Sequence, residues 1–316
     1  MHARSVLPLA AAFAATFCAH PAFARIHRDV DKTFTVTPGG TLEVSTSGGF
    51  IHVTTGSGNE VRVVAHERIR ADNDAEADKL LKNLDLEMDG DSAGVKATAR
   101  YASDGDGFHW GSWPPVQVDF DVTVPAKYSA KLNTSGGDIR VADLDGTVRA
   151  RTSGGEIVLG QIIGKVDADT SGGDVELAGS DSDIELRTSG GNIRVGVVKG
   201  SAEVHTSGGN IEIKGVGGPL VARTSGGNIE AHLDGPLTSE CSLSTSGGEV
   251  KAYVRSNAGF YLDADTSGGS VNVAGGISVT VESGGYGKSH LHGTVGAGGP
   301  KLRLRTSGGD ILVNSV

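Results

Sequence analysis

Two imidazoles stand at alternate positions in His290-Leu291-His292, a spacing that puts both on one face of an extended strand, where a divalent metal could take them. A metal usually wants at least a third ligand, and none is visible nearby. We therefore expect two solvated histidines on a polar face, with no metal and no cofactor. Acidic side chains recur beside glycine pairs at Asp138, Glu156, Asp174 and Glu249. Two carboxylates facing each other across a groove would suit glycoside hydrolysis. An acid repeated coil after coil is more simply a turn former and solubiliser. Cys241 has no local basic partner to activate its thiol, and no Ser-His-Asp or Cys-His set stands out. Glycine corners can hold anions through backbone N–H groups, but here no lysine or helix start follows them. The calcium repeat Gly-Gly-x-Gly-x-Asp is not met by Thr-Ser-Gly-Gly-Asp-Ile, which lacks the third glycine and the late aspartate. One irregular stretch, Asp104 to Pro115, gathers Phe108, His109, Trp110 and Trp113, including both tryptophans of the chain. Aromatic side chains make good binding anchors, so these four form a candidate binding loop. The same stretch would also serve as a cover over the fold.

The elements that must carry these residues follow from a repeat. The tetrad Thr-Ser-Gly-Gly occurs ten times, starting at Thr46, Thr134, Thr152, Thr170, Thr188, Thr206, Thr224, Thr245, Thr266 and Thr306. From Thr134 to Thr224 every interval is 18 residues, and the next two are 21. A degenerate copy, Glu282-Ser283-Gly284-Gly285, falls in the last gap. After Thr152 the apolar residues are Ile157, Leu159, Ile162, Val166 and Ala168; after Thr206 they are Ile211, Ile213, Val216, Leu220 and Ala222. These offsets describe two short alternating strands per unit, with the next threonine continuing the second alternation inward. The glycine pairs Gly136-Gly137, Gly154-Gly155, Gly172-Gly173, Gly190-Gly191, Gly208-Gly209 and Gly226-Gly227 are expected to be structural corners that need positive φ. A second corner falls at Gly146, Gly164, Gly200 and Gly218. Two strands and two corners make one coil of a parallel β-solenoid (β-helix), all-β, its copies stacked in register. Roughly ten coils at about 4.8 Å each predict a rod near 45–50 Å. A hexapeptide helix would want an apolar residue at every sixth position, which these offsets do not supply. The register also lines up Arg151, Asp169, Arg187, His205 and Arg223 as an outward charged stripe. We expect its alternating signs to pair across coils.

The first third departs from this rule. Ile51, Val53, Val61 and Val63 after Thr46 fit one coil. A helix is then predicted from Asn73 to Met88, capped by Asn73 and Glu76, with Ala77, Leu80, Leu81, Leu84 and Met88 on its apolar stripe. Strand alternation returns at Val116–Val124 and leads through Pro125 into the regular coils. The helix reads as a cap on one end or side of the solenoid.

Composition agrees with thin coils. There are 49 glycines, hydrophobic residues make 37% of the 316, and aromatics only 5%. Facing sheets set close together admit Val, Ile, Leu, Ala and Thr but few rings. A formal charge of −10 argues against unaided nucleic-acid binding and against adsorption to an anionic membrane. Residues 1–24 read as a signal peptide: Arg4, an apolar run from Val6 to Ala19, and Ala22-Phe23-Ala24 before the expected cleavage. Phe17 before Cys18 does not fit a lipobox. With the leader removed Cys241 stands alone, and no internal disulfide is expected. No other apolar run reaches membrane-spanning length, so we expect no integral membrane segment.

The leader, the Val-Thr-Val-Pro lead at Val122 to Pro125, and the Thr-Ser-Gly-Gly-[Asp/Asn/Glu]-[Ile/Val] units from Thr134 to Thr245 resemble a bacterial family of exported putative adhesins, a domain of unknown function. The resemblance covers nearly all of the chain after the leader. It implies a β-solenoid, a surface or envelope role, and no catalytic motif. The expected organisation is residues 1–24 as signal peptide, 25–130 as an N-terminal coil with helical insert and capping strands, and 131–316 as the regular solenoid. The expected function is that of a non-enzymatic exported envelope or surface protein of adhesin type, meeting a glycan, protein or envelope partner along its regular faces. Alternatives are an envelope scaffold assembling end to end and a polysaccharide-active β-helix enzyme.

Overall fold

The computed structural model describes residues 25–102, 114–233, 235 and 237–315. The leader and its cleavage after Ala24 lie outside the described residues. The regular coils place Ile157–Ile162, Val175–Ser180, Ile193–Val198 and Ile211–Val216 side by side in one sheet. Val148–Arg151, Val166–Asp169, Ile184–Arg187, Ala202–His205 and Leu220–Arg223 form the facing sheet. Pairing is parallel and advances one repeat per coil, as in Ile157 beside Val175 beside Ile193 beside Ile211. Alternate residues point inward, and Ile157, Leu159, Val166 and Ala168 are all at most 1% exposed. Burying a side chain of the Val, Ile or Leu kind stabilises by about 1.5–3 kcal/mol, which the repeat supplies several times per coil.

The tetrad's threonine points inward as expected. The hydroxyls of Thr170, Thr188 and Thr206 donate to the carbonyls of Gly155, Gly173 and Gly191 in the preceding coil at 2.8–2.9 Å. Thr188 and Thr206 also accept the N–H of their own second glycines, Gly191 N and Gly209 N, at 3.3 Å. Threonine thus replaces backbone pairing where the chain turns. The glycine expectation needs correction. None of the corner pairs from Gly136-Gly137 to Gly226-Gly227 has positive φ; those angles occur at Gly39, Gly58 and in the 275–299 stretch. The second glycine is required because coils nearly touch there. A Cβ on Gly191 would fall within 3.0 Å of the Gly173 carbonyl, and 2.7 Å from Asp174 N. A Cβ on Gly190 would meet nothing closer than Gly172 O, at 3.4 Å. The acid or amide after the pair forms a second ladder: Asp174 Oδ1 accepts from Asn192 N, Asn192 Oδ1 from Asn210 N and Asn210 Oδ1 from Asn228 N, at 2.7–2.9 Å.

At both ends the spatial order of coils departs from their order in sequence. The coil of Cys241–Ser244 and Val250–Val254 pairs with Lys301–Thr306 and Ile311–Ser315. Phe260–Thr266 and Val271–Val273 come only after it, and the antiparallel strands His290–Val295 and Val279–Gly284 finish one sheet. The last residues therefore fill an interior slot: Thr306 Oγ1 donates to Gly248 O, and Thr266 Oγ1 to Gly309 O. The degenerate copy at Glu282–Gly285 is no coil corner; Gly284, at φ +84°, ends the antiparallel strand. At the other end Thr41–Thr46 and Ile51–Gly56 lie between the coil of Ser129–Thr134 and Ile139–Val141 and the strands Gly94–Tyr101 and Val116–Pro125.

Val61 and Val63 do not complete the first coil. They belong to Glu60–Arg70, which runs antiparallel to Val116–Pro125 and to Arg25–Thr35 in the same sheet. The helix is Asp74–Leu81, with Asn73 Oδ1 accepting from Glu76 N at 3.0 Å. It ends early because Leu84, Leu86 and Met88 also alternate, and Leu84–Gly90 forms an antiparallel strand on Gly94–Tyr101. The helix sits beside the end strand, with Arg28 pairing to Asp78 at 2.7 Å. Among the described residues the sheets hold 13 and 14 strands. At the usual strand spacing that is a stack of about 60 Å, longer than ten coils would give because antiparallel caps extend both ends.

Candidate binding surface

On the 13-stranded sheet the residue-by-residue pairing of the coils skips one position after their second buried residue. Gly160, Ala178, Gly196 and Lys214 hold the skipped position in successive coils, and a Cβ on Gly196 would overlap the Ala178 carbonyl. Here an open groove of about 510 Å³ runs across coils, bordered by Val158, Ala178, Val197, Arg194, Glu212 and Lys214. Val197 is 57% exposed, unusual for a large aliphatic on this exterior. Arg194 is held by Glu176 at 2.6 Å, a hydrogen bond that raises the guanidinium above its ordinary value. Lys214 forms no ion pair among the described residues, so its ammonium is available to a partner.

The facing sheet carries the charged stripe in the expected register: Arg151 beside Asp169, Asp169 beside Arg187, Arg187 beside His205, His205 beside Arg223. The pairing differs from expectation. Arg151 reaches Asp167 at 3.6 Å, and Arg187 pairs with Glu185 and Glu203. Carboxylates two residues earlier in the strands take the arginines, leaving Asp169 without an ion pair among the described residues.

Histidine–carboxylate clusters lie on both caps. At the N-terminal cap His66 bridges Asp29 at 2.8 Å and Asp121 at 3.0 Å, and His52 meets Asp121 at 3.2 Å. Burial pulls the His66 imidazole down, but the two aspartates outweigh it, and its pKa is raised. At the C-terminal cap antiparallel pairing sets His292 opposite Asp263 and His290 opposite Asp265. The third ligand absent from the sequence reading is therefore present in space. The signal was the matching alternation of Asp263-x-Asp265 and His290-x-His292. Cys241 is buried, which pushes its thiol up and keeps it from acting as a thiolate. The repeated acids Asp138, Glu156, Asp174 and Glu249 line successive corners, where Asp138 and Asp174 accept amide hydrogen bonds. Phe108, His109, Trp110 and Trp113 lie outside the described residues.

Parallel two-sheet coils with threonine and asparagine ladders define a β-solenoid class of repeat protein. Residues 181–314 match the model of the family described as Toastrack DUF4097, a domain of unknown function. The solved structure of a putative adhesin from Bacteroides fragilis is similar at 11% identity, covering 91% of this chain and 97% of its own, with a TM-score of 0.41. A putative cell adhesion protein from Clostridium sporogenes shares 11% identity over 92% of this chain and 100% of its own, at a TM-score of 0.24. A putative lipid binding protein from Parabacteroides distasonis shares 12% over 90% and 96%, at 0.32. None of the curated proteins compared matches the chain. Among the described residues no helix is long and apolar enough to cross a membrane.

Proposed function

We propose that this chain is an exported, non-enzymatic envelope or surface protein of adhesin type. It holds an extended partner across its coils in the groove of the 13-stranded sheet. The observation that carries this reading is the groove itself, where an exposed Val197 and an unpaired Lys214 stand together over aligned small residues. An aliphatic floor beside a free ammonium suits a chain with apolar and acidic groups. Export follows from the leader at residues 1–24, with cleavage after Ala24 and Arg25 as first residue; intact mass of the exported protein checks it. End-to-end assembly is opposed by the caps. The edge strand Arg25–Thr35 is antiparallel and studded with Arg25, Arg28, Asp29, Asp31 and Lys32, devices that block strand addition. The test is retention of glycans and envelope extracts by the purified protein, set beside a Val197→Asp/Lys214→Glu variant. Retention lost in the variant, without release of reducing ends from glycans, supports the reading. Equal retention by both proteins refutes the groove, and released reducing ends refute the non-enzymatic role.

A further inference from the structure

The C-terminal cap gathers metal-binding side chains from two strands. On the strand Phe260–Thr266, Asp263 and Asp265 face outward two residues apart; on its antiparallel neighbour His290–Val295, His290 and His292 do the same. His292 Nε2 lies 3.1 Å from Asp265 Oδ1 and 3.4 Å from Asp263 Oδ1. Ligand atoms of Asp263, Asp265 and His292 all fall within 4.8 Å of one another. In a tetrahedral site with bonds of about 2.0–2.1 Å, neighbouring donors stand about 3.3–3.4 Å apart, close to the two distances from His292 to the aspartates. The His290 and His292 rings sit edge to face, with centroids 5.7 Å apart, so a second imidazole is next to the cluster.

The surrounding cations orient the acids. Arg305 holds Asp265 through Oδ2 at 2.6 Å, leaving Oδ1 turned towards His292. It also touches Asp263 Oδ1 at 2.8 Å, while Arg303 and Lys301 approach Asp263 Oδ2 at 3.4 and 3.8 Å. Asp265, fixed through one oxygen by an arginine, presents the other, as outer partners of metal ligands commonly arrange, whereas Asp263 would share its Oδ1 between Arg305 and the ion. The same positive charges oppose an added cation, so the affinity should be moderate rather than that of a closed structural zinc site. Asp263 is 7% exposed, whereas the His292 side chain is 29% exposed, so the cluster is anchored inside and open outside. Imidazole with carboxylate suits Zn²⁺ and its neighbours better than Ca²⁺ or Mg²⁺, which prefer all-oxygen sites.

We propose that Asp263, Asp265 and His292 form a site for a divalent transition ion, with His290 poised beside its open position. The ion would tie the strand His290–Val295 to Phe260–Thr266 and leave a coordination position for a donor from solvent or another molecule.

Zn²⁺ alone is the probe, titrated calorimetrically into the untagged, chelator-treated chain, with thermal melting followed in parallel. The expected result is one Zn²⁺ per chain and a melting temperature that rises with Zn²⁺ concentration. His292→Ala and Asp265→Asn should each weaken binding by about 10–100-fold or more while melting normally without metal. His232→Ala, which removes a remote histidine stacked on Tyr253, should bind as the parent does. Absence of binding by the parent at about 100 µM Zn²⁺, or equal binding by His292→Ala, would show the cluster to be an ion-pair network only. Ca²⁺ or Mg²⁺ binding as tightly as Zn²⁺ would overturn the assignment to a transition ion.

Discussion

Gly190 and Gly191 offer a within-pair test of why the corners are glycine. Neither has positive φ, so an alanine at either place meets no backbone penalty of that kind. The neighbours differ. A Cβ on Gly191 would lie inside 3.0 Å of the Gly173 carbonyl, and relief requires the two coils to part by roughly 1 Å there, enough to break hydrogen bonds near 2.9 Å. The bonds that cross this corner include Thr188 Oγ1 to Gly173 O at 2.8 Å, Gly190 N to Ser171 O at 3.1 Å and Val175 N to Asn192 O at 2.9 Å. At about 1 kcal/mol net each, Gly191→Ala should cost about 3 kcal/mol, at the upper end of usual overpacking. On Gly190 the new methyl would stand 3.4 Å from Gly172 O. Gly190→Ala should be neutral, or stabilise by a few tenths of a kcal/mol through a less flexible unfolded chain. Urea unfolding followed by circular dichroism measures both, with amide exchange around 171–192 locating the damage, because stacked repeats need not unfold as one unit. Equal costs at the two positions, or a Gly191→Ala cost under about 0.5 kcal/mol, would refute the close-approach argument.

Thr206→Val keeps the shape but removes the hydroxyl that joins Gly191 O to Gly209 N, and should cost about 1–3 kcal/mol in urea unfolding, with Thr206→Ser recovering part of it. His66 has a raised pKa, so its stabilisation is full below the ordinary histidine value and lost as pH rises through the higher folded value. Melting across pH 5–9 should therefore show the parent's advantage over His66→Gln shrinking at the alkaline end; an advantage that grows with pH would reverse the assignment. Asp169→Arg should place three positive side chains in register with Arg151 and Arg187, lowering stability by a few tenths to about 1 kcal/mol at low salt and less at high salt. A penalty indifferent to salt would contradict the stripe.

Much of the coil was legible because every repeat restates the same constraints. The inward threonine, the strand offsets and the register of Arg151 on Asp169 each follow from the 18-residue interval. The helix start at Asn73 was legible from its cap. Its end was not, since Leu84 and Met88 satisfy a four-residue spacing and a two-residue spacing alike. Tertiary pairing with Gly94–Tyr101 decided between them. The role of Gly191 was misread because close approach and positive φ both select glycine and leave the same letter. The order of the end coils was hidden for a related reason. Thr245, Thr266 and Thr306 open chemically equivalent coils, and any of them offers the next coil the same edge. Asp263 and His292 met for want of a local rule: only the antiparallel return of the C-terminal cap brings the two alternating pairs together.

The interior place of Lys301–Thr306 and Ile311–Ser315 in the stack changes what a chain cut before them would be. A solenoid wound strictly in sequence gets shorter when it is cut, and its remaining coils keep their neighbours. Here Lys301–Thr306 and Ile311–Ser315 follow the cap strands in sequence, yet Lys301–Thr306 separates Cys241–Ser244 from Phe260–Thr266 and Ile311–Ser315 separates Val250–Val254 from Val271–Val273. Without them the cap faces a missing layer, and two parallel edges of matching register are left open towards each other. Closure of this end is thus tied to strands that follow the cap in sequence, so the cap meets its neighbouring layer only once residues 301–315 have joined the stack.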